Sequence, residues 1–278
     1  MLLLLRPIAL VGLALGIGGP AIRAPSPPPL EIHFLDVGQA EAILIKVGAR
    51  AVLVDAGRAD DIIQVLREYQ VDSLEAAIAS HNHDDHIGGM NAVIADFPIR
   101  QYLANGRPAE NGAARDVEEW LLTRGVPRPP PPWEPIVLDD VRISVFPSPL
   151  ENASENNSSL GVLVERGSFR ALLTGDSEIP LLNAWLAEGR IPRVKVLKAA
   201  HHGARDAVTP GWIDRTRPEV VVISVGAGNP YGHPAPMALR YYQTGGRSVY
   251  RTDLAGTVTV TVDDRGRYNV TTTGPTPR

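Results

Sequence analysis

The chain of 278 residues contains no cysteine. This absence excludes disulfide bonds, thiolate ligands for zinc and a cysteine nucleophile, so any metal site must use nitrogen and oxygen donors. Aromatic residues make up only 5% of the sequence, which leaves few platforms on which the bases of a single strand could stack. Histidine is also scarce: the chain has 7, and none lies between His86 and His201.

Charge is distributed unevenly along the chain. The formal net charge is −4, yet basic residues outnumber acidic ones from residue 186 to the C-terminus, and acidic residues dominate before it. A basic block of this kind can face a polyanion, and it can equally be ordinary solvated surface. Both interpretations remain open at this stage.

The first residues have the composition of a targeting segment. Residues 1–24 are almost entirely apolar and run into a proline-rich stretch at residues 25–29. This pattern predicts a signal peptide or a membrane anchor followed by a linker, although a buried first helix would give a similar pattern. We therefore expect a secreted, extracytoplasmic or membrane-anchored protein, whose only membrane contact is this segment if it is not cleaved. The remaining residues 30–278 are expected to form a single domain.

From Leu30 onward, short apolar runs alternate with helical patterns, which is typical of an α/β domain. Runs at residues 32–37, 42–47 and 51–55 predict an opening antiparallel meander, and a second β-rich half follows near residue 141. The alternation of Thr and Val over residues 256–262 predicts an outer strand.

The strongest chemical signal is the segment from Ser80 to Gly89, which has the pattern H-x-H-x-D-H. In extended backbone His81 and His83 point the same way and can hold one metal ion. As the chain turns into the next helix, Asp85 and His86 face a second position. Asp84 lies between these positions and is interpreted as a surface acid.

Two further groups of chemically active residues follow predicted strands. Asp176 ends an apolar strand and can bridge two ions, although an Asp at this place is also a common helix N-cap. His201 is assigned to the second ion and His202 to a hydrogen-bonding role, with the reverse order left open. His233 can protonate a leaving group or stabilise an oxyanion, or it can simply cap the helix that follows.

The order of these motifs resembles the metallo-β-lactamase superfamily. More narrowly, several segments resemble the C-terminal hydrolase domain of the DNA-uptake protein ComEC, and the resemblance covers roughly residues 30–262. These segments are residues 34–39, 80–89, 156–160, 173–176, 201–203 and 224–234. The resemblance implies a four-layer αββα sandwich with metals at one sheet edge and, for ComEC-like members, a nuclease acting on incoming DNA.

The sequence departs from the family pattern in two places. The third histidine that usually holds the first ion is missing, and Asn156 to Ser159 occupies its place. The first ion is therefore expected to be held weakly. The segment Gln39-Ala40-Glu41-Ala42 stands where the family tends to have Gln-Gly-Asp, which alters a tight turn and its acid.

These observations predict a metal-dependent hydrolase with two divalent ions, zinc or manganese. The expected metal ligands are His81, His83, Asp85, His86, Asp176 and His201. The expected catalytic residues are Asp85 and His233, and the expected substrate-binding residues are His202, Asn157, Ser158 and Lys198. The expected substrate is nucleic acid or another phosphodiester, hydrolysed by a monomer. A hydrolase of small esters, lactones or phosphocholine compounds and a non-catalytic binding module are the alternatives.

Overall fold

The structure is a computed structural model that describes residues 27–274. The predicted signal peptide or anchor at residues 1–24 lies outside the described residues, as does the start of the predicted linker at residues 25–29. Among the helices of residues 27–274, none is long and apolar enough to span a membrane.

Fourteen strands form within the described residues: β1 Leu30–Phe34, β2 Ala42–Val47, β3 Arg50–Ala56, β4 Ala76–Ile78, β5 Tyr102–Leu103, β6 Ile136–Leu138, β7 Val141–Phe146, β8 Gly161–Arg166, β9 Phe169–Leu173, β10 Val196–Lys198, β11 Val220–Ile223, β12 Ser248–Arg251, β13 Val258–Val262 and β14 Tyr268–Thr272. The α-helices are α1 Ile62–Glu68, α2 Asp84–Ile87, α3 Met90–Asp96, α4 Gly112–Arg124, α5 Ile179–Ala187, α6 Pro210–Thr216, α7 Pro236–Gln243 and α8 Thr252–Ala255.

The strands form two mixed sheets. One has the order β14-β13-β1-β2-β3-β4-β5 and the other β12-β11-β10-β9-β8-β7-β6. Strands β1, β2 and β3 pair antiparallel, which confirms the predicted meander, and β4 then joins β3 in parallel. In the second sheet, β9 to β12 are parallel neighbours. The carboxyl ends of parallel strands meet at one edge, where α/β proteins place functional loops.

The core lies in three apolar layers. Facing side chains of the two sheets, such as Phe34 and Val222, fill the space between them. Helices α1, α3 and α4 cover the outer face of the first sheet, and α5, α6 and α7 cover that of the second, where Trp185, Trp212 and Tyr242 are fully or almost fully buried. Because each sheet buries both faces, the arrangement is the predicted single-domain αββα sandwich.

The prediction of an outer strand near the C-terminus is wrong in one respect. Strand β13 pairs with β1 on one side and β14 on the other, so β14 forms the edge. The Val residues of β13 are buried and its Thr residues are half-buried, so its alternation reflects one face against the core.

Candidate metal centre

The chemically active residues converge at the carboxyl-terminal edge of both sheets. The histidine-rich loop follows β4 and leads into the short helix α2, which carries Asp85 and His86. Asp176 follows β9, and His202 follows β10. Three loops from separate strands therefore meet at one place, as the sequence predicts.

Four side chains form what we call the metal cluster: Asp85, His86, Asp176 and His202. Each contributes one ligand atom, and these atoms all lie within 4.8 Å of one another. His86 Nε2 is 3.2 Å from Asp176 Oδ1. His202 Nε2 is 3.4 Å from Asp85 Oδ2 and 3.5 Å from Asp176 Oδ2.

The metal cluster contains buried polar atoms that lack a hydrogen-bond partner. Among the described residues, His86 Nε2, Asp176 Oδ1 and His202 Nε2 are buried and make no hydrogen bond. Unpaired buried polar atoms are costly in a folded protein and call for a ligand. Two imidazoles and two carboxylates directed at one point suit a divalent cation such as zinc or manganese, so the residues fit a bound metal ion.

The orientation of His86 is fixed from behind by Asp55 at the end of β3. His86 Nδ1 lies 2.7 Å from Asp55 Oδ2, and the Ser80 backbone N–H and hydroxyl each donate to the same carboxylate at 2.7 Å. Because Asp55 contacts Nδ1, the other ring nitrogen of His86, Nε2, is directed into the cluster. A carboxylate behind a histidine in this way is the usual support for a metal ligand.

His81 and His83 form a histidine pair beside the cluster. His81 Nε2 lies 3.0 Å from His83 Nδ1, and His81 Nδ1 lies 3.0 Å from the Ser80 hydroxyl. The two ring nitrogens are thus within hydrogen-bonding distance of each other, and neither residue belongs to the metal cluster. The role of His81 and His83 as ligands of a first ion stays a prediction. Asn156, in the place of the missing third histidine, lines the same pocket.

The geometry favours His202 over His201 as the ligand of the second ion, which is the reverse order that the sequence leaves open. His202 is buried, and its Nδ1 lies 2.8 Å from the Ser224 carbonyl, which leaves Nε2 for a metal. His201 Nε2 is 3.7 Å from Asp176 Oδ2, and its ring lies on the pocket wall beside Glu178. His202 is therefore a candidate metal ligand, and its role in binding substrate stays a prediction.

The turn that carries both histidines has unusual backbone geometry. His201 and His202 both have positive φ angles, 47° and 51°. Residues other than glycine adopt positive φ angles at an energetic cost, and residues in this conformation concentrate at functional sites. Gly175 beside them has a φ of 50°, and a Cβ there would lie 2.8 Å from the Ser80 side chain. Glycine before Asp176 is therefore required by both conformation and space.

Lys198, predicted to bind substrate, is fully buried and cannot reach the pocket surface. Its ammonium pairs with Glu41, which is also fully buried, and donates to the Gly175 carbonyl at 3.1 Å. The same ammonium lies 3.8 Å from Asp176 Oδ1. The Glu41 backbone N–H donates to the Asp85 carbonyl at 2.9 Å. This buried pair therefore supports the segments of both carboxylates of the cluster.

Asn157 and Ser158, also predicted to bind substrate, are structural. Asn157 Oδ1 accepts from the Glu178 and Leu181 backbone N–H groups at the start of α5, so it caps that helix. The Ser158 hydroxyl donates to the Ser154 carbonyl. Both are buried, and neither lines the metal pocket, whereas the neighbouring Asn156 does.

The charges of the cluster stabilise one another in the absence of metal. Burial alone would lower the pKa of His86, but the carboxylates of Asp176 and Asp55 outweigh it and hold that pKa well above its usual value. Burial would raise the pKa of Asp176, yet His202 and His86 hold it well below the usual range. These opposite charges therefore favour the charged forms of both side chains.

An open pocket of about 400 Å³ lies over the cluster. Its walls include Arg58, Tyr231 and His233 besides the metal-binding side chains. Burial and the nearby imidazoles of His201 and His202 lower the pKa of His233, so its ring is neutral near pH 7. A neutral ring still donates one hydrogen bond, and the role of His233 towards substrate stays a prediction.

Replacing His202 with alanine tests the corrected assignment. We expect His202→Ala to weaken metal binding at the cluster by more than the roughly 10- to 100-fold that loss of a supporting residue costs, because a direct ligand is removed. His201→Ala, the adjacent residue on the same turn, should retain that ion. Metal analysis after dialysis against limiting zinc measures both variants. Loss of metal in His201→Ala alone would restore the original assignment.

Two features of the site were not identified from sequence: the position of Asp55 behind His86 and the pairing of Lys198 with Glu41. Asp55 ends a strand next to the site, as Asp176 does, so the same signal of a strand-terminal carboxylate would have found it. Lys198 and Glu41 are 157 positions apart, and only the sandwich brings them together. No local sequence pattern predicts this pair.

Comparison with known proteins gives a consistent assignment. A family model of the metallo-beta-lactamase superfamily matches residues 35–227. ComE operon protein 3 of Bacillus subtilis is 26% identical over 276 residues, covering 86% of this chain and 34% of that protein. Competence protein ComA of Neisseria gonorrhoeae is 27% identical over 259 residues, covering 91% of this chain and 35% of that protein. The chain thus spans about a third of the length of these relatives.

Among solved structures, the metallo hydrolase Igni18 of Ignicoccus hospitalis superposes with a TM-score of 0.57 at 16% identity, over 83% of this chain and 98% of that chain. This likeness concerns the fold. Together with the family match over more than half of the chain and the metal cluster, it leads to one conclusion. The chain belongs to the metallo-beta-lactamase superfamily and is a metal-dependent hydrolase.

Proposed function

We propose that the protein is a phosphodiesterase that hydrolyses nucleic acid, with two divalent ions, zinc or manganese, at the carboxyl-terminal edge of the sheets. The metal cluster would hold the second ion. The histidine pair of His81 and His83, with Asp176 between the two sites, would hold the first. The incomplete first set, with Asn156 where a third histidine usually stands, makes that ion the weaker of the two.

The observation that carries the proposal is the composition of the pocket above the cluster. Arg58 is exposed on its wall and forms no ion pair with any residue in 27–274. The His201 and His233 imidazoles line another part of the same wall. A guanidinium and imidazole donors over a divalent-metal site suit a phosphodiester, whose anionic oxygens both groups can contact. One relative is named a competence protein, and this name supports DNA as the substrate.

Bound divalent ions supply Lewis acidity and lower the pKa of a coordinated water. The side chains of the protein position the metal-binding residues and neutralise the charge of the substrate. Asp55 holds the ring of His86, and the Glu41–Lys198 pair supports the segment of Asp176. Arg58 neutralises a phosphate oxygen at the pocket mouth. His233, neutral near pH 7, donates a hydrogen bond towards the departing oxygen.

The basic C-terminal third of the sequence does not contribute through Lys198, which is buried. Arg205, by contrast, is exposed beside the His201 turn and remains available to a polyanion. We further propose that the enzyme acts outside the cytoplasm as a monomer, delivered or tethered by residues 1–24. The complete metal cluster argues against a binding module without catalysis.

Incubation with DNA tests the proposal. We expect the purified protein to cleave single- or double-stranded DNA when manganese or zinc is added, and to stop when a chelator removes the metal. Fragment analysis on gels measures cleavage, and the metal-free protein is the control. If DNA stays intact while a small ester or lactone is hydrolysed, the substrate is the alternative class.

A further inference from the structure

Tyr231 is an exposed aromatic side chain at the rim of the metal pocket. Its relative exposure is 61%, and of the large exposed apolar or aromatic side chains within residues 27–274, it is the one that lines this pocket. The chain has few aromatic residues, and most of the others contribute to the core or are partly covered. An aromatic ring left in water at the mouth of a site has one face available for a ligand.

The ring of Tyr231 connects to the metal cluster through a row of rings. Tyr231 stacks on His233 with a centroid distance of 5.8 Å and an interplanar angle of 19°. His233 meets His201 edge-on at 5.6 Å, and His201 Nε2 is 3.7 Å from Asp176. Two ring contacts, from Tyr231 to His233 and from His233 to His201, thus connect Tyr231 to a side chain beside the metal cluster.

The loop that presents Tyr231 is held by hydrogen bonds across it. Asn229 donates to the carbonyls of Gly226 and His233 at 3.0 and 2.7 Å, and it accepts from the His233 backbone N–H at 3.0 Å. The Gly226 backbone N–H donates to the Gln39 side chain at 3.0 Å. A Cβ at Gly226 would lie 2.5 Å from the Gln39 backbone nitrogen, so the loop base fits against Gln39. The platform is therefore ordered before any ligand binds, which lowers the entropy cost of binding.

We propose that Tyr231 is a stacking platform for the nucleobase next to the phosphodiester held over the metal cluster. In a duplex both faces of each base are already covered by neighbours, whereas an unpaired base can place one face on the ring. The pocket consequently takes single-stranded or frayed nucleic acid in preference to intact duplex. Arg58 contacts phosphate whatever the base is, and stacking of the base on Tyr231 adds to the binding affinity. This inference rests on the proposed function and narrows its substrate class.

Binding of two oligonucleotides to the metal-loaded full-length protein tests the proposal. One is a fluorescein-labelled oligothymidylate of about 10 nucleotides, within the usual footprint of single-strand sites, with phosphorothioate linkages that resist cleavage. The other has the same backbone with abasic sites throughout. Fluorescence anisotropy gives the Kd of each, and a duplex of the same length is measured beside them.

We expect Tyr231→Ala to raise the Kd for oligothymidylate roughly 5- to 100-fold and to leave the Kd for the abasic strand unchanged within about twofold. Tyr231→Phe should restore binding, because the ring is retained. Trp120→Ala, which removes a half-exposed aromatic on α4 outside the pocket, is the matched control and should bind like the unmodified chain.

The proposal would be overturned if Tyr231→Ala bound each strand as tightly as the unmodified protein does. An equal loss of affinity for both strands would overturn it as well. The failure of the proposed function looks different. If the protein cleaves no phosphodiester but Tyr231→Ala still loses binding only for the base-bearing strand, the stacking platform stands and the hydrolysis of nucleic acid is rejected.

Discussion

Asp176→Asn is expected to lower hydrolysis by roughly 10³-fold, since metal ions contribute several kcal/mol to such reactions and each factor of ten corresponds to about 1.4 kcal/mol. Asp176 is the side chain whose two oxygens face different imidazoles, with Oδ1 near His86 and Oδ2 near His202. An amide keeps the size of the side chain but removes its charge and one of the two metal-binding oxygens. The variant should therefore lose metal as well as activity.

Metal content per chain and initial rates, measured on the same preparation, check this prediction. Asp264→Asn is a suitable control, because Asp264 is exposed in the turn between β13 and β14, far along the chain from the cluster. A variant of Asp176 that keeps full metal content and activity would remove Asp176 from the centre. Loss of activity with full metal content would instead restrict Asp176 to a role in the reaction itself.

Lys198→Met is expected to destabilise the folded protein by about 3–5 kcal/mol, the usual cost of leaving one partner of a buried ion pair alone. Lys198 and Glu41 are both fully buried, so no water replaces the missing ammonium. Burial is the main cause that raises the pKa of Glu41, and its charge would then have lost its nearest cation. Denaturant unfolding of the metal-free protein measures the change in free energy.

The double variant Glu41→Leu/Lys198→Met separates stability from function. Replacement of a buried ion pair by apolar side chains of similar volume is often neutral or stabilising, so the double variant should recover most of the lost stability. It should still bind metal less tightly than the unmodified chain, because the hydrogen bond from Lys198 to the Gly175 carbonyl, next to Asp176, is gone. A double variant as unstable as Lys198→Met would contradict the ion-pair explanation. Full metal affinity would show that the pair has no positioning role.

Much of the fold follows from local patterns in the sequence. The meander of β1 to β3 is visible as three apolar runs, and the bounds of these strands differ from expectation by at most three residues. Strand β14 was missed because its side chains are mostly exposed and its residues show no apolar alternation. Helix α4 was missed because its residues are mostly polar. Its N-cap is Asn111, whose side chain accepts a hydrogen bond from the Ala114 N–H.

The candidate site was predictable where the ligands lie close together in the sequence. It was not predictable where tertiary packing determines the burial or direction of a side chain. The spacing within residues 81–86 fixes which side chains share a loop. The choice between His201 and His202 depends on a turn with two positive φ angles, which no spacing rule supplies. The burial of Lys198 depends on Glu41 from the other sheet, and the burial of Asn157 on the helix that it caps. Side-chain direction at such positions is set by tertiary contacts.

The origin of the cluster in both sheets has a consequence for assembly. Asp85 and His86 belong to a loop of the first sheet, whereas Asp176 and His202 follow strands of the second. Neither layer alone contains more than half of the cluster, so high-affinity metal capture requires that the two layers have already docked. We therefore expect metal uptake to follow the docking of the two layers, and a bound ion would tie the layers together by linkage.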